Sequence, residues 1–264
     1  MRHRGLARIC ALAFASASSV VLAQAEADWA DVEGRIQYAY YTNDPRALNS
    51  VLTALKPKAV EGEAATAAEI GMRAYFRALA QYRVAQVLAS SKKSLSNDAI
   101  DECEDEIDVA IRALPKIPIG LDESDAGRRQ RAEIYTLSTA CAIAGRELTS
   151  DAGQSRIAEA ARLEPRNPRA RLFEALVAHG DAGKDAAAKA AAIAKLRAVI
   201  VMFEQARAAA STTPEWGAAE AYAYLGRALY EQRDIVGARE ALERALLVAP
   251  EYAYARKLMG QITR

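Results

Sequence analysis

The residues of this chain that could do chemistry are few and scattered. His179 is the only histidine after residue 25. Imidazole is the side chain best suited to general acid–base work near neutral pH. A triad would need a nucleophile and a carboxylate converging on it, and no flanking motif points that way. His179 follows a helical stretch and precedes Gly180-Asp181, a position suited to capping the last carbonyls of a helix. The densest acidic run is Asp98, Asp101, Glu102, Glu104, Asp105, Glu106 and Asp108. It lacks the Asp/Asn alternation around a glycine that a calcium loop requires. Acids near a helix start are favoured by the dipole, so a solvated face is the simpler reading; docking of a basic partner or a divalent ion is the functional one. The sequence has no Gly-rich phosphate loop, no CxxC pair and no HExxH. The chain therefore reads as a non-enzyme with no cofactor and no metal. A hydrolytic carboxylate pair gathered from distant helices is the one enzymatic route left open.

Cysteine chemistry depends on compartment. Met1–Arg8 is basic, Ile9–Ala23 is apolar and small, and Ala23-Gln24-Ala25 has the small-x-small form of a cleavage site. Residues 1–25 resemble a bacterial secretion signal, which implies cleavage after Ala25 and a periplasmic location. The apolar run is short for a bilayer span, and no later stretch is apolar enough, so no stable membrane insertion is expected once it is removed. Cys103 and Cys141 remain. An oxidising compartment allows them to pair, and both sit at apolar helical positions in adjacent helix pairs. Two buried thiols acting as small apolar residues are the equal alternative. Removing residues 1–25 leaves 32 basic and 34 acidic residues. This near-neutral balance gives no electrostatic reason to expect nucleic acid as a partner.

The elements that must position these residues are helices throughout: the chain is rich in alanine and poor in glycine and proline. The clearest stretch is Ala219–Pro250. Tyr222, Leu225, Gly226 and Leu229 fall on one face of a first helix. Asp234 can cap a second, whose stripe is Ile235, Ala238, Leu242, Ala245 and Leu246, and Pro250 ends it. Gly226, Ala238 and Ala245 would let the two backbones approach closely. Partial copies occur upstream. Cys103, Ile107, Ala110 and Pro115 keep the spacing of Ala238, Leu242, Ala245 and Pro250, and Ile157, Ala160 and Pro165 keep its last three positions. Trp29, Val32, Ile36 and Tyr40 open the row, and residues 252–262 form a terminal capping helix. Asn97 or Asp98 reads as the cap of the acidic helix, after a loop at Ser90–Ser96.

This pattern resembles the tetratricopeptide repeat (TPR): a bulky residue, Leu-Gly, a Tyr position, then Ala, an aromatic position and Pro within about 34 residues. Tyr222, Leu225-Gly226, Leu229, Ala238, Leu242 and Pro250 take those positions, with Leu for two aromatics. Arg233 stands where a turn glycine is usual. The resemblance implies an all-α fold, an α-α superhelix: a right-handed solenoid of antiparallel helix pairs with degenerate repeats, spanning residues 26–264 as one domain. It also implies a concave groove lined by first helices. The groove positions would be Glu220, Ala223, Arg227, Tyr230 and Glu231, with Arg169, Leu172 and Leu176 in the helix that starts at Pro168. The Lys/Asn clamp that some relatives use for acidic C-termini is unmatched, since Ala223 and Arg227 occupy its places. The expected function is a periplasmic protein–protein interaction scaffold holding a protein or peptide in that groove. A small-ligand or glycan binder using Tyr222, Tyr224 and Tyr230 is the alternative.

Overall fold

Eleven helices run through residues 29–56, 66–89, 91–116, 123–145, 151–208 and 216–263, the parts described by the computed structural model. The expected signal segment lies outside the described residues. The helices are α1 (29–41), α2 (Pro45–Ala54), α3 (Ala67–Leu88), α4 (Lys93–Ala113), α5 (Asp125–Gly145), α6 (Asp151–Leu163), α7 (Pro168–Asp181), α8 (Ala186–Ala208), α9 (Ala218–Glu231), α10 (Ile235–Val248) and α11 (Ala253–Ile262).

Local chemistry places most boundaries. Asp44 accepts from the backbone of Arg46 and Ala47 at 2.9 and 3.0 Å, with Pro45 in the first turn of α2. Thr66 and Glu69 form a reciprocal capping box at the head of α3. Asn167 caps α7 and Asp234 caps α10, the latter accepting from Gly237 at 2.9 Å. Arg233 carries the turn between α9 and α10 in the left-handed region, at φ 65°. One boundary differs from the sequence reading. The acidic helix starts at Lys93 rather than after Asn97, and Ser96 is buried with its hydroxyl donating to the Ala85 carbonyl at 2.9 Å. That bond anchors the first turn of α4 on α3, which a reading of polar residues as loop could not foresee.

Consecutive helices pack throughout, and the row has two layers. The odd-numbered helices also touch in series, α3 on α5, α5 on α7, α7 on α9 and α9 on α11. Among the described residues, the even-numbered helices make their main contacts with their chain neighbours alone. This arrangement of stacked hairpins is compatible with a helical repeat fold. Within it, Ala219–Pro250 is the antiparallel pair α9–α10. A Cβ on Gly226 would lie 2.8 Å from Leu242 Cγ and 3.1 Å from the Ala238 carbonyl oxygen. Gly226→Ala is therefore expected to destabilise by about 1–3 kcal/mol through overpacking, although alanine is ordinarily the better helix former by about 1 kcal/mol. Denaturant unfolding measures the sign: stabilisation would mean that the two helices are not in this contact. Cys103 of α4 and Cys141 of α5 are joined as a disulfide, their Cα atoms 6.3 Å apart.

The two ends of the row also meet. Tyr40 of α1 hydrogen-bonds through its hydroxyl to that of Tyr252, at the head of α11, at 2.9 Å. Arg83 of α3 pairs with Glu220 of α9. The inner layer therefore bends until its first and last members face each other.

Candidate functional site

The side chains that meet on the inner face are charged and aromatic. Arg83 and Glu220 are an ion pair with side chains 1% and 3% exposed. Glu220 also accepts from the Tyr41 hydroxyl at 2.9 Å and the Gly217 backbone at 3.2 Å. Arg83 donates to Gln86 Oε1 at 2.7 Å and Gln37 Oε1 at 3.1 Å, and its guanidinium lies 4.0 Å from the centre of the Tyr40 ring. Burial alone disfavours the Arg83 cation, but Glu220 and the surrounding tyrosines outweigh it and hold its pKa above the ordinary arginine value. Hydrogen bonds support both members of the pair, from Tyr41 and Gly217 to Glu220 and from Arg83 to Gln37 and Gln86.

Trp216 sits beside this pair. Its indole N–H donates to the Tyr75 hydroxyl at 3.0 Å and its backbone N–H to Glu33 Oε1 at 2.9 Å. The Arg83 and Arg169 guanidinium carbons lie 5.3 and 5.8 Å from its ring centre. Gly217 follows at φ 110°, and a Cβ there would lie 2.8 Å from Phe203 Cζ, so glycine is required for the chain to turn into α9. Arg169 is held by Glu133 of α5, its Nε donating to Oε2 at 2.8 Å, and Asn167 binds the same carboxylate at 2.7 Å.

These contacts correct the expected groove. Arg169, Leu172, Glu220 and Ala223 are buried, so they cannot line an open surface. The reason is steric: Glu133 of α5 covers Arg169, Arg83 of α3 and Tyr41 of α1 cover Glu220, Leu172 packs in an apolar cluster with α8, and Ala223 in one with α10. Leu176, Arg227, Tyr230 and Glu231, nearer the C-terminal ends of α7 and α9, retain exposure. The structure brings Arg227 and Glu231 together with His179 at one rim. Glu231 Oε1 lies 3.4 Å from Arg227 Nε and Oε2 lies 3.7 Å from His179 Nε2. His179 belongs to the last turn of α7 and is buried. Arg227 rests 5.9 Å from the Tyr224 ring centre, and the Tyr224 hydroxyl accepts from Gln86 at 3.5 Å. Polar contacts thus run from Arg83 through Gln86 and Tyr224 to the rim.

Of the tyrosines considered as a glycan platform, Tyr222 donates to Glu204 at 2.6 Å and Tyr224 is held within this network, with burial raising its pKa to about 12. They form no shared aromatic floor. In the acidic helix, Glu106 pairs with Arg77, while Asp98, Asp101, Glu102, Asp105 and Asp108 are exposed. No group of three or more potential metal ligands occurs among the described residues. A hollow of about 360 Å³ lies beside Tyr38 between α1 and α2. Another of about 440 Å³ lies beside Arg128 and Arg162, both of them ion-paired. Neither contains a residue expected to bind a partner.

Sequence reading missed Arg83, Gln37, Glu133 and Trp216 as members of this site. The available signal was Arg83 itself, four residues after Leu79 and seven after Phe76 on the buried side of α3. A cation at such a position needs an internal partner.

The centre also sets a response to alkali. Burial raises the pKa of Tyr40, Tyr75, Tyr82 and Tyr252 above the ordinary tyrosine value. Their hydroxyls ionise less readily folded than unfolded. The stability this contributes is complete below about pH 10 and is lost as pH rises beyond it. Tyrosinate absorbance and loss of helical circular dichroism are expected to appear together as one cooperative step. Ionisation of all the tyrosines with helix intact would contradict the burial.

The fold and site together define an all-α protein of packed helix pairs with a charged, aromatic interior. No protein-family model matches the chain, and no curated protein matches it.

Proposed function

We propose that this protein is a TPR-like interaction scaffold that works in the periplasm and holds a protein or peptide at the rim of its inner layer. The observation that carries this reading is the meeting of His179 from α7 with Arg227 and Glu231 from α9, two successive inner helices on which Leu176 and Tyr230 are also partly exposed. Together they offer apolar, aromatic and charged groups to an extended peptide or a helix end. The interior behind them is filled by buried side chains. Export is supported by the composition of residues 1–25 and by the Cys103–Cys141 disulfide, which belongs to an oxidising compartment. Among the described residues, no helix is long and apolar enough to cross a membrane.

The test is affinity capture from periplasmic extract with the mature protein as bait, comparing wild type with Arg227→Glu. Reversing this charge is expected to lower partner retention by roughly tenfold or more, the equivalent of about 1.4 kcal/mol or more. Equal retention by both baits would exclude the rim as the binding surface, and no specific retention by either would remove the scaffold reading.

A further inference from the structure

Four buried side-chain nitrogens lack a hydrogen-bond partner among the described residues, and two of them, His179 Nε2 and Arg227 Nε, flank the same carboxylate. Glu231 stands between them, 3.7 Å from the first and 3.4 Å from the second. Neither approach is a formed hydrogen bond. The imidazole is fixed, since its side chain is 9% exposed, whereas Glu231 is the last residue of α9 and its side chain is 39% exposed. The carboxylate is therefore the member that can adjust. The charged groups acting on His179 are Glu231 and Arg227 from α9 and Lys189 from α8. Glu231 is the one anion in that set.

With His179 neutral, Glu231 is the anion that belongs to Arg227, the full cation beside it, whose other neighbours are the phenols Tyr254 and Tyr224. A proton on His179 creates a second cation, buried and with no other anion in reach. A charge-assisted hydrogen bond to a desolvated donor is stronger than an exposed i,i+4 ion pair. We propose that protonation of His179 moves Glu231 from Arg227 to the imidazole and so frees the Arg227 guanidinium, half exposed over Tyr224, to take an acidic group of the partner. The exchange follows from the geometry of the rim; its use in partner binding rests on the scaffold reading. Burial holds His179 below the ordinary imidazole range, so the exchange belongs to mildly acidic conditions.

A pH titration of the mature protein by nuclear magnetic resonance tests it, following the imidazole carbon-bound protons of His179 and the Arg227 Nε–H. The expected result is a shift of the Arg227 signal, with faster solvent exchange, at the same midpoint as His179. In Glu231→Gln the His179 midpoint should fall and the Arg227 signal should no longer follow it. An Arg227 signal that stays constant through the His179 titration of the wild type would overturn the proposal, whatever the variant does. Periplasmic capture repeated across the same pH range separates the two readings. If Arg227 follows His179 but nothing is captured at any pH, the exchange stands and the scaffold reading falls. Capture that ignores pH while Arg227 stays constant leaves the scaffold and removes the switch.

Discussion

Glu220→Ala is expected to lower the free energy of unfolding by about 3–5 kcal/mol, because it leaves one member of a buried ion pair without its counter-charge. Arg83 would remain 1% exposed against the Tyr40 and Trp216 rings, with Gln37 and Gln86 as neutral acceptors. The Tyr41 hydroxyl and the Gly217 N–H would lose their acceptor as well. Since the ends of the inner layer meet through this pair, the loss should reach α1, α3 and α9 together. Urea unfolding at neutral pH, followed by circular dichroism, gives the number. The double replacement Arg83→Met with Glu220→Gln should cost less than Glu220→Ala alone, since it removes the stranded cation along with the anion. A loss well under 1 kcal/mol for Glu220→Ala would mean that water reaches the pair and that the inner face is open.

Trp216→Ala should cost a similar amount, about 3–5 kcal/mol, by leaving a cavity at the meeting point of α1, α3 and α7. The indole is 2% exposed, 6.1 Å from the Phe173 ring and flanked by two arginines. Trp216→Phe separates the contributions. It keeps most of the ring volume and loses the donor to Tyr75, so about 1 kcal/mol is expected from the hydrogen bond. Trp29 stays in both variants as a fluorescent reporter of the α1–α3 contact, stacked 5.3 Å from Phe76. Equal losses for the two variants would show that the N–H, not the bulk of the ring, is what the interior requires.

What could be read from the sequence was local. The α9–α10 hairpin was legible because its stripe, its cap at Asp234 and its tight contact at Gly226 all lie within a few turns of one another. Asp44 with Pro45 and the helix start at Pro168 are likewise short-range chemistry. The groove side assigned to α7 and α9 came only from the likeness to the TPR pattern, and what stands opposite it was not legible. Glu220 and Arg83 are 137 positions apart, and no period within either helix says that they touch. Of the expected groove positions, Arg227 and Glu231 reach the rim, while Arg169, Leu172, Glu220 and Ala223 are enclosed. The start of α4 was misplaced for a related reason, as Ser96 turns inward to a carbonyl on another helix.

The bond between Tyr40 and Tyr252 joins positions 212 apart, and this bears on how such a chain can evolve and be made. An open array gains or loses units freely, because each one answers only to the units beside it. Here an extra hairpin anywhere between α2 and α11 would carry the two phenols apart, and one between α3 and α9 would also unseat Glu220 from Arg83. The number of units is thereby locked. It also follows that α1, the first of the described helices to be synthesised, must wait for nearly all of the polypeptide before its last partner exists, a long closure completed late.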